Sequence, residues 1–123
     1  MARILIVDDA VFMRKLLIDI LVAQGHEIVG EGTSAKDAVE KFSALKPDLM
    51  TMDITMPQES GIDTPEAVRR IVQENPRAKI LMVSSLGQQA VITKMLTAGA
   101  CDFVVKPFKP DRIIQAVNRI LGI

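Results

Sequence analysis

Apolar residues fall along this chain in two alternating forms. Nearly continuous runs, Ile4-Leu5-Ile6-Val7, Leu49-Met50-Thr51-Met52 and Ile80-Leu81-Met82-Val83, are bounded by polar residues. Such runs fit strands covered on both faces, as in a parallel sheet. Between them lie longer stretches whose apolar residues recur at three and four, the spacing of a helix with one buried stripe. Ala35, Ala38, Val39, Phe42 and Leu45 form one stripe; Ile113, Ile114, Val117, Ile120 and Leu121 form another.

In chain order the pattern predicts a strand ending at Val7 and a helix over about 11–23, stopped by Gln24-Gly25. A short strand over about 27–31 follows, then a helix with Ser34 as N-cap, ended by Lys46-Pro47. The third strand closes on Asp53 and leads into a loop over residues 56–61. A helix over about 64–74 tolerates Pro65 in its first turn and is broken by Asn75-Pro76. Then come a strand over 79–83, a helix over 88–97 closed by Gly99, a strand over 102–105 ended by Lys106-Pro107, and a final helix. The Lys106-Pro107 bond is a candidate cis peptide. Five strand–helix units, each about 20 to 25 residues, imply right-handed parallel crossovers with helices on both sheet faces. The expected fold is therefore α/β, a doubly wound five-stranded parallel sheet, with residues 1–123 as a single domain.

Composition narrows the class. Hydrophobic residues make up 49%, enough for one core, yet no apolar run approaches the roughly 20 residues that span a bilayer. Met1-Ala2-Arg3 enters the first strand with no leader pattern. Lys plus Arg equal Asp plus Glu at 15 each, so no basic field exists to attract nucleic acid. The single cysteine, Cys101, excludes an intramolecular disulfide and is expected as a small residue packed where the fifth strand begins. These features point to a cytoplasmic protein with neither nucleic acid nor membrane as partner.

The candidate chemistry lies at strand ends. In an open parallel sheet the ligand crevice lies beyond the carboxyl ends of the strands. Asp8 and Asp9 close the first strand, Asp53 closes the third, and Lys106 closes the fifth. Three carboxylates and one ammonium leave a local charge near about −2, which one divalent cation offsets. Magnesium takes hard oxygen ligands and typically uses one or two carboxylates together with phosphate oxygens, so Mg2+ is the expected cofactor. Asp8 and Asp9 could instead cap the first helix, where carboxylates favour the positive end of the dipole; capping is expected to account for one of them. It does not account for Asp53, which a metal and a lysine would make a candidate nucleophile toward phosphorus. Lys106 follows an apolar strand, which directs its amine into the same crevice. Ser84 and Ser85 end the fourth strand, and Ser84 is the hydroxyl chosen to donate to a phosphoryl oxygen. His26, beside Gly25, is expected as a solvent-exposed turn residue at the opposite end of the strands and not as a catalytic base.

These residues together resemble the receiver domain of two-component response regulators. The resemblance rests on Asp8-Asp9, Met52-Asp53-Ile54-Thr55-Met56-Pro57 with Gly61, Ser84, and Phe103-Val104-Val105-Lys106-Pro107-Phe108, and it covers the whole chain. Asp9-Ala10-Val11-Phe12-Met13-Arg14 and Gly87-Gln88-Gln89-Ala90 are similar to stand-alone chemotaxis receivers of the CheY type. The resemblance implies a flavodoxin-like fold with strand order 2-1-3-4-5, an order the apolar pattern does not itself supply; CheY is a standard example of that order. It also implies that Asp53 accepts a phosphoryl group from a histidine kinase, and that Asp8, Asp9, Asp53 and the backbone carbonyl of Thr55 bind Mg2+. Lys106 would pair with the phosphoryl oxygens, Ser84 would move to hydrogen-bond them, and Phe103 would swing into the space vacated. A surface of the fourth helix, fifth strand and fifth helix would then bind an output partner, in this type a flagellar motor switch protein, with a CheY-type phosphatase ending the signal. The resemblance implies a monomer that is a signal carrier and not a turnover enzyme, catalysing only its own phosphorylation and slow dephosphorylation. Phenylalanine at Phe103 stands where chemotaxis receivers often carry tyrosine, so any switch there is steric.

Three rival readings use the same residues. An aspartyl-nucleophile phosphatase or dehalogenase resembles Asp-x-Asp-x-Thr, and here Thr55 stands where the second carboxylate would be the general acid/base. A flavodoxin-type carrier would need a phosphate-cradling loop, whereas the first loop is Asp8-Asp9-Ala10 and no tryptophan or tyrosine is present to hold a flavin. Other receivers remain: a phosphorelay intermediate, or the regulatory half of a chemotaxis methylesterase, which Met82-Val83-Ser84-Ser85-Leu86 also resembles.

Overall fold

The computed structural model describes residues 1–56, 61–85 and 89–123. Residues 57–60 of the expected loop, together with Leu86, Gly87 and Gln88, lie outside these. Ten elements alternate: β1 (Arg3–Val7), α1 (Val11–Ala23), β2 (Glu27–Gly32), α2 (Ala35–Leu45), β3 (Leu49–Asp53), α3 (Thr64–Glu74), β4 (Ile80–Ser85), α4 (Gln89–Ala98), β5 (Asp102–Lys106) and α5 (Pro110–Leu121). All strand pairings are parallel, and the sheet order is β2-β1-β3-β4-β5. The expected flavodoxin-like order 2-1-3-4-5 is therefore observed.

The continuous apolar runs have the cause the pattern suggested. Alternation sends Leu5, Val7, Met50, Met52 and Met82 to one face, where they meet Phe42 of α2, Val68 and Ile71 of α3, and Ile92 and Met95 of α4. Ile4, Ile6, Leu49, Leu81 and Val104 point the other way, onto Leu17 and Leu21 of α1 and Ile113 and Val117 of α5. Each such side chain, fully buried, contributes roughly 1.5–3 kcal/mol of hydrophobic stabilisation. No helix among the described residues is long and apolar enough to cross a membrane.

Strand ends run further than the apolar pattern reaches, because pairing and not hydrophobicity sets them. Gly32 pairs with Val7, so β2 ends one residue late; Ser85 pairs with Lys106, carrying β4 and β5 beyond their apolar cores. Ser34 caps α2 as expected, its Oγ accepting from the Asp37 N–H at 3.1 Å. Gly99 closes α4 with φ +124°, and a Cβ there would lie 2.7 Å from Val72 Cγ2, so both conformation and packing require glycine. The Lys106–Pro107 bond is cis.

Three local expectations are corrected. Neither Asp8 nor Asp9 caps α1: the N-cap residue is Ala10, without a side-chain bond, and Asp8 Oδ1 instead accepts from the Ala10 N–H at 2.9 Å, before the helix starts. His26 is not solvent-exposed. It is 7% exposed, and its Nδ1 accepts from the Ala2 N–H at 3.1 Å, because the chain crosses over it to enter β1. Cys101 is exposed rather than packed, and its backbone N–H bonds to the Ile80 carbonyl.

Candidate acidic site at the strand ends

The switch in strand order between β1 and β3 opens a crevice at their carboxyl ends. Asp8 leaves β1 there with its N–H on the Gly32 carbonyl, which ties the β1–α1 turn to the end of β2. Asp53 is the last residue of β3, on the same face as Leu49 and Thr51 by alternation, and it is 5% exposed. Carboxylate oxygens of Asp8, Asp9 and Asp53 all lie within 4.8 Å of one another, with Asp8 and Asp53 buried and Asp9 exposed. Lys106 closes the crevice from β5: its Nζ is 3.3 Å from Asp53 Oδ1 and 3.5 Å from Asp8 Oδ2. The four groups that the strand ends were expected to deliver thus meet at one place.

The electrostatics are unbalanced. Burial and, next, the negative charge of Asp8 push the Asp53 carboxyl above its ordinary value, although Lys106 and the Thr55 N–H pull it down. One ammonium against three carboxylates, two of them buried, leaves a deficit of positive charge in the crevice. Clustered hard oxygens with uncompensated charge are a donor set that fits a divalent cation such as magnesium.

The remaining expected residues are placed as follows. Thr55 is exposed, and its N–H donates to Asp53 Oδ1 at 3.3 Å. Ser84 is 0% exposed, and its Oγ has no hydrogen-bond partner among the described residues. Alternation along β4 turns Ser84 toward the face of Met82, away from the face Asp53 shares with Val83. Phe103 is half-buried on that same Met82 face, packed against the cluster beneath α2, α3 and α4. It also borders a groove of about 650 Å³ with Phe108, Arg112 and Gln115 of the α5 side. His26 belongs to the far end of the sheet, as expected of its position if not of its exposure.

Arg14 was not singled out from the sequence. Its Nη1 donates to the Asp8 carbonyl at 2.7 Å and its Nε to Glu31 Oε1 at 2.9 Å. The available signal is modest: one arginine, beside Lys15, in the first turns of a helix whose other charged residue is Asp19. Thr64, also unremarked, donates its buried Oγ1 to the Ile54 carbonyl at 2.8 Å and fixes the chain just past Asp53.

Known proteins resemble this chain in sequence and fold. The family described as response regulator receiver domain matches residues 4–118. The chemotaxis protein CheY of Thermotoga maritima is 51% identical over 118 residues, covering 96% of each chain. The chemotaxis protein CheY of Bacillus subtilis is 50% identical over 120 residues, covering 98% of each. Among solved structures, a two-component response regulator of the LuxR family from Aurantimonas sp. matches with TM-score 0.89 and 32% identity, over 98% of this chain and 85% of that one. With a receiver's strand order, a receiver's clustered aspartates and relatives at half identity along nearly its whole length, the chain belongs to the response regulator receiver family and is a CheY-like, phospho-accepting signalling domain.

Proposed function

We propose that Asp53 is the phospho-acceptor and that Mg2+, held by Asp8, Asp9, Asp53 and the backbone carbonyl of Thr55, is required for its phosphorylation. The observation that carries this reading is the meeting of Asp8, Asp9 and Asp53 within 4.8 Å, with Lys106 Nζ 3.3 Å from Asp53. An Asp53 oxygen attacks phosphorus in a phosphohistidine of a histidine kinase, the P–N bond breaks, and the imidazole leaves with the electron pair. When bound, the cation supplies charge neutralisation on the transferred group. Lys106, already at the carboxylate, is placed to pair with a phosphoryl oxygen. The hydroxyl of Ser84, without a partner among the described residues, is a donor that a new acceptor would satisfy. The phosphoryl group adds about −1.5 to −2 charge and three strong acceptors, so it favours the loop arrangement that brings Ser84 toward it. Phe103 follows into the vacated space and alters the surface of α4, β5 and α5.

The relatives named chemotaxis protein CheY favour a flagellar motor switch protein as the output partner and a CheY-type phosphatase as the terminator. We read residues 1–123 as one monomeric domain that works in the cytoplasm beside its kinase and catalyses no reaction beyond its own phosphorylation and slow dephosphorylation. The test is intact-mass analysis after incubation with a small phosphodonor. A single phosphoryl adduct that needs magnesium and is absent in Asp53→Asn is the expected result. No adduct under any condition, or an adduct retained in Asp53→Asn, refutes it; sustained phosphate release over many turnovers would instead indicate a phosphatase.

A further inference from the structure

We infer that Arg14 is a positioning residue for the acidic crevice, an inference that rests on the metal-dependent reading of Asp8, Asp9 and Asp53. Its guanidinium spans two elements. Nη1 donates to the Asp8 carbonyl at 2.7 Å while Nε is held by Glu31 Oε1 at 2.9 Å, at the end of β2. The side chain is only 13% exposed, so this fork is fixed by packing as well as by its partners. The carbonyl it grips belongs to the peptide joining Asp8 to Asp9, the two acidic residues of the β1–α1 turn. Orienting that peptide plane sets where Asp9 can place its carboxylate, and Asp9 is the exposed and least constrained of the three. The turn's other holds act on the Asp8 amide and carboxylate. The N-cap residue Ala10 offers no side-chain bond, and among the described residues Asp8 is otherwise tied by its N–H to the Gly32 carbonyl, by its Oδ1 to the Ala10 N–H and by its Oδ2 to Lys106 Nζ at 3.5 Å, none of which holds the Asp8 carbonyl. Arg14 holds the carbonyl that those bonds leave, linking the acidic turn to β2 and to the first turns of α1 at once. Partners of this kind beyond the ligands themselves typically change metal affinity about 10- to 100-fold when lost.

Charge alone makes the opposite prediction, which gives the test its force. Removing a cation from the neighbourhood of an acidic cluster should tighten the binding of magnesium, whereas losing a positioning group should weaken it. Lysine keeps the charge and removes the fork, so charge alone predicts no change for Arg14→Lys. The experiment is a magnesium titration of the metal-free protein followed by the backbone amide shifts of residues 8–10, below the melting temperature of each variant. Arg14→Lys and Arg14→Met are each expected to bind magnesium about 10-fold more weakly than wild type, with the rest of the amide spectrum preserved. Should Arg14→Met fail to fold, Arg14→Lys carries the test alone. Unchanged or tighter binding in Arg14→Lys overturns the positioning role while leaving the metal site intact. Absence of any magnesium response in the wild type overturns the metal reading itself, and the role of Arg14 with it.

Discussion

Replacing Lys106 by methionine isolates the charge on which the crevice depends. Methionine keeps most of the aliphatic stem and removes the ammonium from between two buried carboxylates. At the separations of 3.3 and 3.5 Å and an effective dielectric constant of about 20, each attraction is worth about 5 kcal/mol before desolvation. Much of that is offset by the cost of taking the ammonium out of water, which is incomplete because the Lys106 side chain retains 22% exposure. Breaking a buried ion pair typically costs about 3–5 kcal/mol, and the residual exposure argues for the lower end, about 3 kcal/mol. For 123 residues, 1 kcal/mol moves the melting temperature by about 4 °C, so Lys106→Met should melt roughly 12 °C below wild type in chelator at pH 7. The control is Lys106→Met with Asp8→Asn. Asparagine retains an oxygen for the Ala10 N–H and removes the charge facing Asp53, so the pair should recover at least about 1.5 kcal/mol of the loss. Circular dichroism melts of the two variants, of Asp8→Asn and of wild type complete the cycle. A Lys106→Met protein within about 0.5 kcal/mol of wild type would mean that the ammonium is effectively solvated. A loss that Asp8→Asn leaves untouched would mean that the stem, not the charge, carries the effect.

Asp53→Asn should raise the melting temperature in chelator at pH 7. A carboxyl held above its ordinary 3.8 lets the folded protein keep its proton longer, so its contribution falls as pH rises from that value through the folded one. The gain should vanish below pH 3.8, and a melt that is lower at pH 7 would refute the assignment. Thr51→Val removes a fully buried hydroxyl that has no partner among the described residues; chemical denaturation should show stabilisation by about 1 kcal/mol, whereas destabilisation would reveal a hidden acceptor. Burial first, and the nearby N-terminal amine second, hold His26 below its ordinary 6.5. Its stabilising, neutral state is therefore complete above pH 6.5 and lost as pH falls toward the folded value. Wild type should lose melting temperature on acidification from pH 7 to 5 more steeply than His26→Gln, and parallel slopes would exclude a role for the imidazole.

What was legible in the sequence was whatever short-range pattern determines. Ile4-Leu5-Ile6-Val7 must be a strand covered twice, and Asp53 must close another, because no helix of a small domain buries such runs without a polar stripe. The rule that crevices open at the carboxyl ends of parallel strands then brings Asp8, Asp9, Asp53 and Lys106 together without further information. What escaped depends on contacts between distant residues. His26 is buried because the Ala2 backbone, 24 positions away, lies against it, and Arg14 meets Glu31 across 17 positions. The strand order was supplied by resemblance, since alternation of strands and helices fixes handedness but not which strand lies at the centre.

The register across β4 and β5 gives the proposed switch a mechanical basis. Parallel partners share a face, so Met82 with Phe103, and Ser84 with Val105, lie on the α2–α4 side, whereas Asp53 and Val83 point toward α1 and α5. Ser84 therefore begins on the wrong side of its strand to touch Asp53, enclosed and without a hydrogen-bond partner among the described residues. A phosphoryl group would offer that hydroxyl an acceptor only if the end of β4 turned, and such a turn takes volume away from the face where the Phe103 ring packs. Dense interiors do not keep a side-chain-sized void; a neighbouring group moves to fill it. Phe103, half-buried and bordering the groove beside α5, is the neighbour with room to move. A phenolic hydroxyl would not be needed for the proposed coupling, whose force would be steric and arise from the end of β4 rotating past β5.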